Sequence, residues 1–216
     1  MKNLMLMTIV GVGITSLIAC QKDPLKNMTP EESRIYVTNH DSTVSFTQFN
    51  TFSIADSVGY FEDNQDLGKD LSEFDATAIA AVKAAMQARG FKLVNRTDTP
   101  DLGITVSRVY NTSTGIMSYP GYWDNYGGFY DPYYWGFGGY DYYDPVYYGP
   151  DYYTTYQVTH GALSVDMLNL KDAAKNNSIH PVWSGIARGT GVFSTSAAEG
   201  EINSFFEQSP YLVTNQ

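Results

Sequence analysis

Three histidines, two well-placed aspartates and a single cysteine are the residues of this 216-residue chain that could do chemistry. His40, His160 and His180 lie far apart in sequence. None has a second ligand at the helical or hairpin spacing with which zinc sites are built, so a shared metal site would need convergence in space. We therefore expect no metal and no cofactor. Asp166 stands between apolar neighbours, where a general acid or base could stand. The outward face of a half-exposed strand gives the same pattern, and that is the reading adopted. Asp101 reads as the start of a strand. No G-x-S-x-G elbow, P-loop, H-E-x-x-H or EF-hand loop occurs. No catalytic residue is assigned, and a non-enzymatic role is expected, with an envelope hydrolase left open if histidines and acids meet.

The cysteine has a different logic. The chain opens MKNLMLMTIVGVGITSLIAC, with Lys2 as a short positive region and an apolar run over Leu4–Ile18. The run is too short for a stable spanning helix and has the form of an export signal. Leu17-Ile18-Ala19-Cys20 resembles the lipobox of bacterial lipoproteins, in which the signal is cut before the cysteine and the cysteine is acylated. Cys20 is the only cysteine, so an exported chain can form no internal disulfide, and acylation, palmitate included, supplies the reason for it. One acyl chain holds a membrane only marginally; the several carried by lipobox proteins hold it stably. Gln21 follows in place of the aspartate that often retains lipoproteins at the inner membrane. Gln21-Lys22-Asp23 resembles tags that send some of them to the outer face of the outer membrane. The expected address is the outer membrane, lipid-anchored, on its periplasmic or surface face.

Removing residues 1–19 takes away Lys2 and no acid, so the formal charge of −10 becomes −11. An acidic chain repels phosphate backbones, which argues against nucleic acid. Gln21–Glu32 reads as a tether, about 40 Å long if fully extended. Residues 33–216 read as one domain, interrupted over 113–158 by an insert rich in tyrosine, glycine and proline.

That insert holds 14 of the 18 tyrosines, two of the three tryptophans and five aspartates, with no lysine or arginine. Prolines 120, 132, 145 and 150 interrupt every run, and aliphatic residues are almost absent, so a packed core is hard to build from it. Three readings compete. The first is an aromatic loop that self-associates or packs loosely over the sheet, and is removable without unfolding the domain. The second is a glycan-facing surface, because tyrosine and tryptophan stack on sugar faces and aspartate accepts hydroxyl hydrogens. Its candidate residues are Tyr122, Trp123, Tyr133, Tyr134, Trp135, Tyr147 and Tyr148. Its aspartates favour neutral or basic sugars. The third, an enzyme pocket, lacks an accompanying constellation.

The elements that must carry these residues follow from periodicity. Arg34–His40 and Thr51–Ala55 have strand composition. Asp70 or Ser72 caps a helix whose apolar positions are Leu71, Ala78, Ile79, Val82 and Met86, and Gly90 closes it. Phe91–Asn95, Leu102–Tyr110, Gly161–Leu170 and Pro181–Arg188 read as strands. Ser196-Ala-Ala-Glu199 reads as a capping box before Ile202, Phe205 and Phe206. Short turns between neighbouring strands predict antiparallel pairing. The expected fold is α+β: a two-layer sandwich with an antiparallel sheet of about six strands and two helices on one face.

Phe46-Thr-Gln-Phe49-Asn-Thr51-Phe52, Gly90-Phe91, Pro100-Asp101-Leu102, Gly161-Ala-Leu163-Ser-Val165-Asp166 and Val182-Trp183-Ser-Gly185-Ile-Ala187 follow one another in order. With Phe206–Pro210 they resemble a bacterial lipoprotein family designated domain of unknown function 4136, over most of Tyr36–Pro210. The resemblance implies a lipobox and a Tyr/Gly/Pro-rich insert, and lends no activity. The expected role is structural or binding, with a polysaccharide or an envelope protein as partner. Asp41-Ser42-Thr43 and Asp56-Ser57-Val58 also resemble O-glycosylation sites of some Gram-negative envelope proteins.

Overall fold

The structure, a computed structural model, describes residues 28–62, 65–110, 134–138, 141–142 and 161–215. Cys20, the signal, most of the tether and most of the insert lie outside the described residues. The described strands are β1 (Ile35–His40), β2 (Thr51–Ile54), β3 (Val58–Glu62), β4 (Gln65–Asp70), β5 (Lys92–Leu93), β6 (Leu102–Tyr110), β7 (Asp141–Tyr142), β8 (Ala162–Asn169) and β9 (Ser178–Arg188). The helices are α1 (Glu73–Ala88), α2 (Ala173–Asn176) and α3 (Thr195–Glu207), with 3-10 turns at Phe46–Gln48 and Arg96–Asp98.

The order across the sheet is β1-β9-β8-β6-β2-β5. On one side of β6 the pairing is antiparallel, through β8, β9 and β1. On the other side it is parallel: β2 runs along Leu102–Ile104 and β3 along Ser107–Tyr110. The sheet is therefore mixed, which corrects the antiparallel expectation. The reason is the connection. Helix α1 carries the chain back across the sheet before β6 begins, and a crossover of that kind sets strands parallel. The hairpin β3–β4, absent from the sequence reading, supplies two of the extra strands. The strand expected over Phe91–Asn95 is only two residues long.

Helix α1 starts as its sequence dictates. Ser72 Oγ accepts from the Asp75 N–H at 3.3 Å, and Asp75 Oδ2 accepts from the Ser72 N–H at 2.8 Å. It ends at Gly90, whose φ of +93° suits a residue without Cβ. Leu71, read as part of the helical stripe, lies outside the helix and is exposed. Helix α3 begins two residues early: its N-cap is Ser194, so Ser196 is already inside the helix and is not its cap. Helices α1 and α3 lie together on one sheet face. Phe74, Val82 and Met86 from α1 and Ile202, Phe205 and Phe206 from α3 meet alternate residues of β6, β8 and β9 there. Gly185 is required at that contact, since a Cβ would lie 2.8 Å from the Phe205 and Trp183 rings.

The opposite face is buried too. Every residue of β8 is buried, and Asp166 is 0% exposed, as are Thr105 and Ser164. This corrects the half-exposed reading of that strand. The second face has its own apolar cluster, in which Phe61, Leu168, Leu170, Ile179 and Ile186 surround Trp135 of the insert. Trp135 is only 4% exposed. Its indole rests on the backbone of β6, where a Cβ on Gly103 would come within 3.1 Å of the ring. At this residue the insert is core, which corrects the expectation that its aromatics pack loosely.

Candidate functional site

A concave feature lies where the insert meets the parallel edge of the sheet. A cleft of about 740 Å³ is walled by the end of β2, by Lys83 of α1, by β5 and by the 3-10 turn that follows it. Tyr134 closes one side. Its carbonyl oxygen accepts from Arg96 Nη1 at 2.6 Å. Its ring has the Arg96 guanidinium 4.6 Å and the Lys69 ammonium 4.7 Å from the centroid. Such contacts are worth roughly 0.5–1 kcal/mol each at exposed sites. Burial pushes the phenol above the usual tyrosine value, and the nearby Asp56 carboxylate pushes it the same way. Arg96 and a backbone hydrogen bond at Asp56 oppose them.

The turn that places Arg96 is built locally. Asn95 and Asp98 form a capping box, with Asp98 Oδ2 accepting from the Asn95 N–H at 3.1 Å and from Nδ2 at 3.0 Å. Thr99 then takes a left-handed conformation, φ 50°. Asp98 is thus committed to the turn, while Asp56, Lys83, Lys92 and Arg96 also line the cleft. None of the three cations has a carboxylate within 4.0 Å in the described ion pairs, which are confined to Arg34 and Arg108.

The residues singled out from the sequence are distributed unevenly. Tyr122, Trp123, Tyr133, Tyr147, Tyr148, Cys20 and His160 lie outside the described residues. Trp135 is buried and cannot present a ring to a ligand. Tyr134 borders the cleft, but its ring is engaged by two cations. Asp101 immediately precedes β6, one residue short of the strand start expected for it, and its Oδ2 accepts from the Asn50 and Thr51 N–H groups at 2.7 and 3.1 Å. His40 packs against Tyr211, with centroids 4.0 Å apart. His180 Nε2 is 2.7 Å from Ser178 Oγ, a nucleophile-to-base distance. Burial lowers the His180 pKa, and the Asp41 charge opposes that. Asp41 itself is turned toward Thr43, whose N–H and hydroxyl it accepts at 2.8 and 2.6 Å. Ser178 is only 8% exposed and also reaches the Asn176 carbonyl oxygen, at 3.4 Å. Among the described residues no group of three His, Cys, Asp or Glu side chains could hold a metal.

Sequence reasoning missed the cationic wall. Lys83, Lys92 and Arg96 come from a helix, an edge strand and a turn, and no spacing rule joins them. It also missed the buried ion pair of Arg108 with Asp75, 2.7 Å apart, on the helix-covered face. The Tyr60 hydroxyl donates to the same carboxylate at 2.7 Å, and burial together with Asp75 raises its pKa to about 12.

A model of the family described as "Domain of unknown function (DUF4136)" matches residues 36–211. The chain belongs to this family. A DUF4136 family protein from Bacteroides thetaiotaomicron is 29% identical, with a TM-score of 0.64 over 84% of this chain and 98% of that one. A PelC dodecamer from Paraburkholderia phytofirmans is 8% identical, with a TM-score of 0.40 over 83% and 98%. A PDZ domain protein from Parabacteroides distasonis is 11% identical, with a TM-score of 0.44 over 83% and 36%. No curated protein matches the chain. The DUF4136 match begins and ends within one residue of the stretch whose motifs suggested it.

Proposed function

We propose that this DUF4136 protein is a lipoprotein anchored through Cys20 at the outer membrane, with a non-catalytic binding role in the cell envelope. The observation that carries the binding role is the cleft beside Tyr134, an open site walled by side chains from four separate elements. Three of the described acids support a non-catalytic reading. Asp75, Asp98 and Asp101 direct their carboxylates to backbone N–H groups, where they serve the fold. A polysaccharide is the partner class that suits an envelope address and an aromatic insert, and the glycan-binding alternative thereby moves from the insert alone to the seam between insert and sheet edge. Cys20→Ala tests the anchor. The variant is expected in the soluble fraction or retained with its signal uncut. Normal processing with full membrane retention would refute the lipoprotein reading.

A second reading, envelope hydrolase, draws on the contact between Ser178 and His180. It requires a serine that reacts with a fluorophosphonate probe and loses that labelling in Ser178→Ala. Because Asp41 is turned to Thr43 and Ser178 is nearly buried, we expect no labelling.

A further inference from the structure

We propose that the cleft beside Tyr134 binds a saccharide unit carrying one anionic group, a carboxylate or a phosphate. The inference deepens the binding role above and is independent of the lipid anchor. It stands on two observations. First, a chain with a net charge of −10 gathers three cations, Lys83, Lys92 and Arg96, around one cleft against two acids, Asp56 and Asp98, and Asp98 is already committed to its capping box. Cations without carboxylate partners at a concave site select for negative charge.

Second, the cleft runs along an open sheet edge. The N–H groups of Lys92 and Val94 donate inward, to Asn50 and Phe52, at 2.8 and 2.9 Å. Alternation along a parallel strand turns the N–H and C=O of Leu93 the other way, toward the cleft. That edge offers a donor and an acceptor of the kind sugar hydroxyls need. It is too short to add a peptide strand, because β5 spans only two residues. The volume falls within the roughly 300–1,000 Å³ of small-ligand sites. The overall acidity works against polyanions, so the ligand is a sparsely charged sugar.

The experiment uses the full chain, labelled with nitrogen-15 and held in detergent, with amide shifts of residues 92–96 as the readout. D-Glucuronate and D-glucose 6-phosphate are expected to shift these amides saturably. D-Glucose should bind about tenfold more weakly or worse, the factor expected for one lost charge-assisted hydrogen bond. The double variant Lys83→Gln/Lys92→Gln should lose the same factor for both acidic sugars while its remaining amides stay in place. A Glu207→Gln control, on an exposed position of α3, should bind as the parent does. Equal binding of glucose overturns the anionic requirement. Inorganic phosphate binding as tightly as glucose 6-phosphate overturns the saccharide requirement. Selective shifts with an acidic extended peptide, and none with the sugars, would assign the edge to a protein instead.

Discussion

Trp135→Ala decides whether the insert belongs to the core. The indole is 4% exposed, lies on β6 at Gly103 and packs among Leu168, Leu170, Ile179 and Ile186. Truncating a buried tryptophan costs about 3–5 kcal/mol, the transfer of its surface plus the cavity it leaves. For a chain of this length that lowers Tm by roughly 6–20 °C. Deleting residues 113–158 removes the same indole while saving only about 2 kcal/mol of loop-closure entropy, so a net loss is expected there too. Gly103→Ala sharpens the test. Its Cβ would meet the Trp135 ring at 3.1 Å and Leu170 Cδ1 at 2.9 Å, an overpacking worth about 1–3 kcal/mol. In the Trp135→Ala background the ring is gone, and part of that cost should vanish. Urea denaturation of the four proteins gives the coupling through a double-mutant cycle. If Trp135→Ala costs less than about 1 kcal/mol, or if the two substitutions add without coupling, the indole is not seated on β6 and the reasoning fails.

Glu201 sits in α3 with no exposed surface and, among the described residues, no hydrogen-bond partner on either oxygen; the cation it faces is Arg34, whose Nε lies 3.6 Å away. Burial raises its pKa from 4.5 to about 7 against the pull of Arg34, so folding favours its protonated form. That stability is fully present below the unfolded pKa and is lost as pH rises from about 4.5 through about 7, by roughly 3 kcal/mol at 1.36 kcal/mol per decade. Glu201→Gln should therefore gain on the parent by that order between pH 5 and pH 8, and a difference that stays constant with pH would remove the argument. Asp75→Asn strips the charge facing buried Arg108 and weakens the α1 cap. It should cost about 3–5 kcal/mol in chemical denaturation, and a loss below about 1 kcal/mol would show that the pair is solvated.

What was legible in the sequence is what local chemistry determines. The cap at Ser72, one of two candidates, the closing Gly90, and the strands that became β6 and β8 were all readable, because caps, positive-φ glycines and period-two patterns act within a few residues. Strand direction was not. It depends on where α1 returns the chain, and no short window contains that. The burial of Asp166 was hidden for a related reason. Alternation in β8 shows that its two faces differ, but it cannot show that the polar face is also covered. Composition misled most at Trp135. A stretch dominated by tyrosine, glycine and proline reads as uniform, yet one indole opposite one glycine suffices to seat part of it. The cationic wall needed three elements to be placed before Lys83, Lys92 and Arg96 could be seen as neighbours.

The adjacency of Tyr134 and Trp135 links the core to the cleft. Their rings meet edge to face at 5.0 Å; Trp135 is part of the second apolar cluster, and Tyr134 packs against that cluster while its ring also meets Arg96. The buried Trp135 thereby anchors the half-buried Tyr134 beside it. The Arg96 hydrogen bond to the Tyr134 carbonyl then fixes the 3-10 turn relative to the insert. The wall of the cleft is thus set by a side chain that never touches it. Preorganisation of that kind lowers the ordering cost of binding, about 0.5–1.5 kcal/mol for each side chain that is already held. An insert seated by its tryptophan can therefore shape a binding site at the sheet edge with few aliphatic residues of its own.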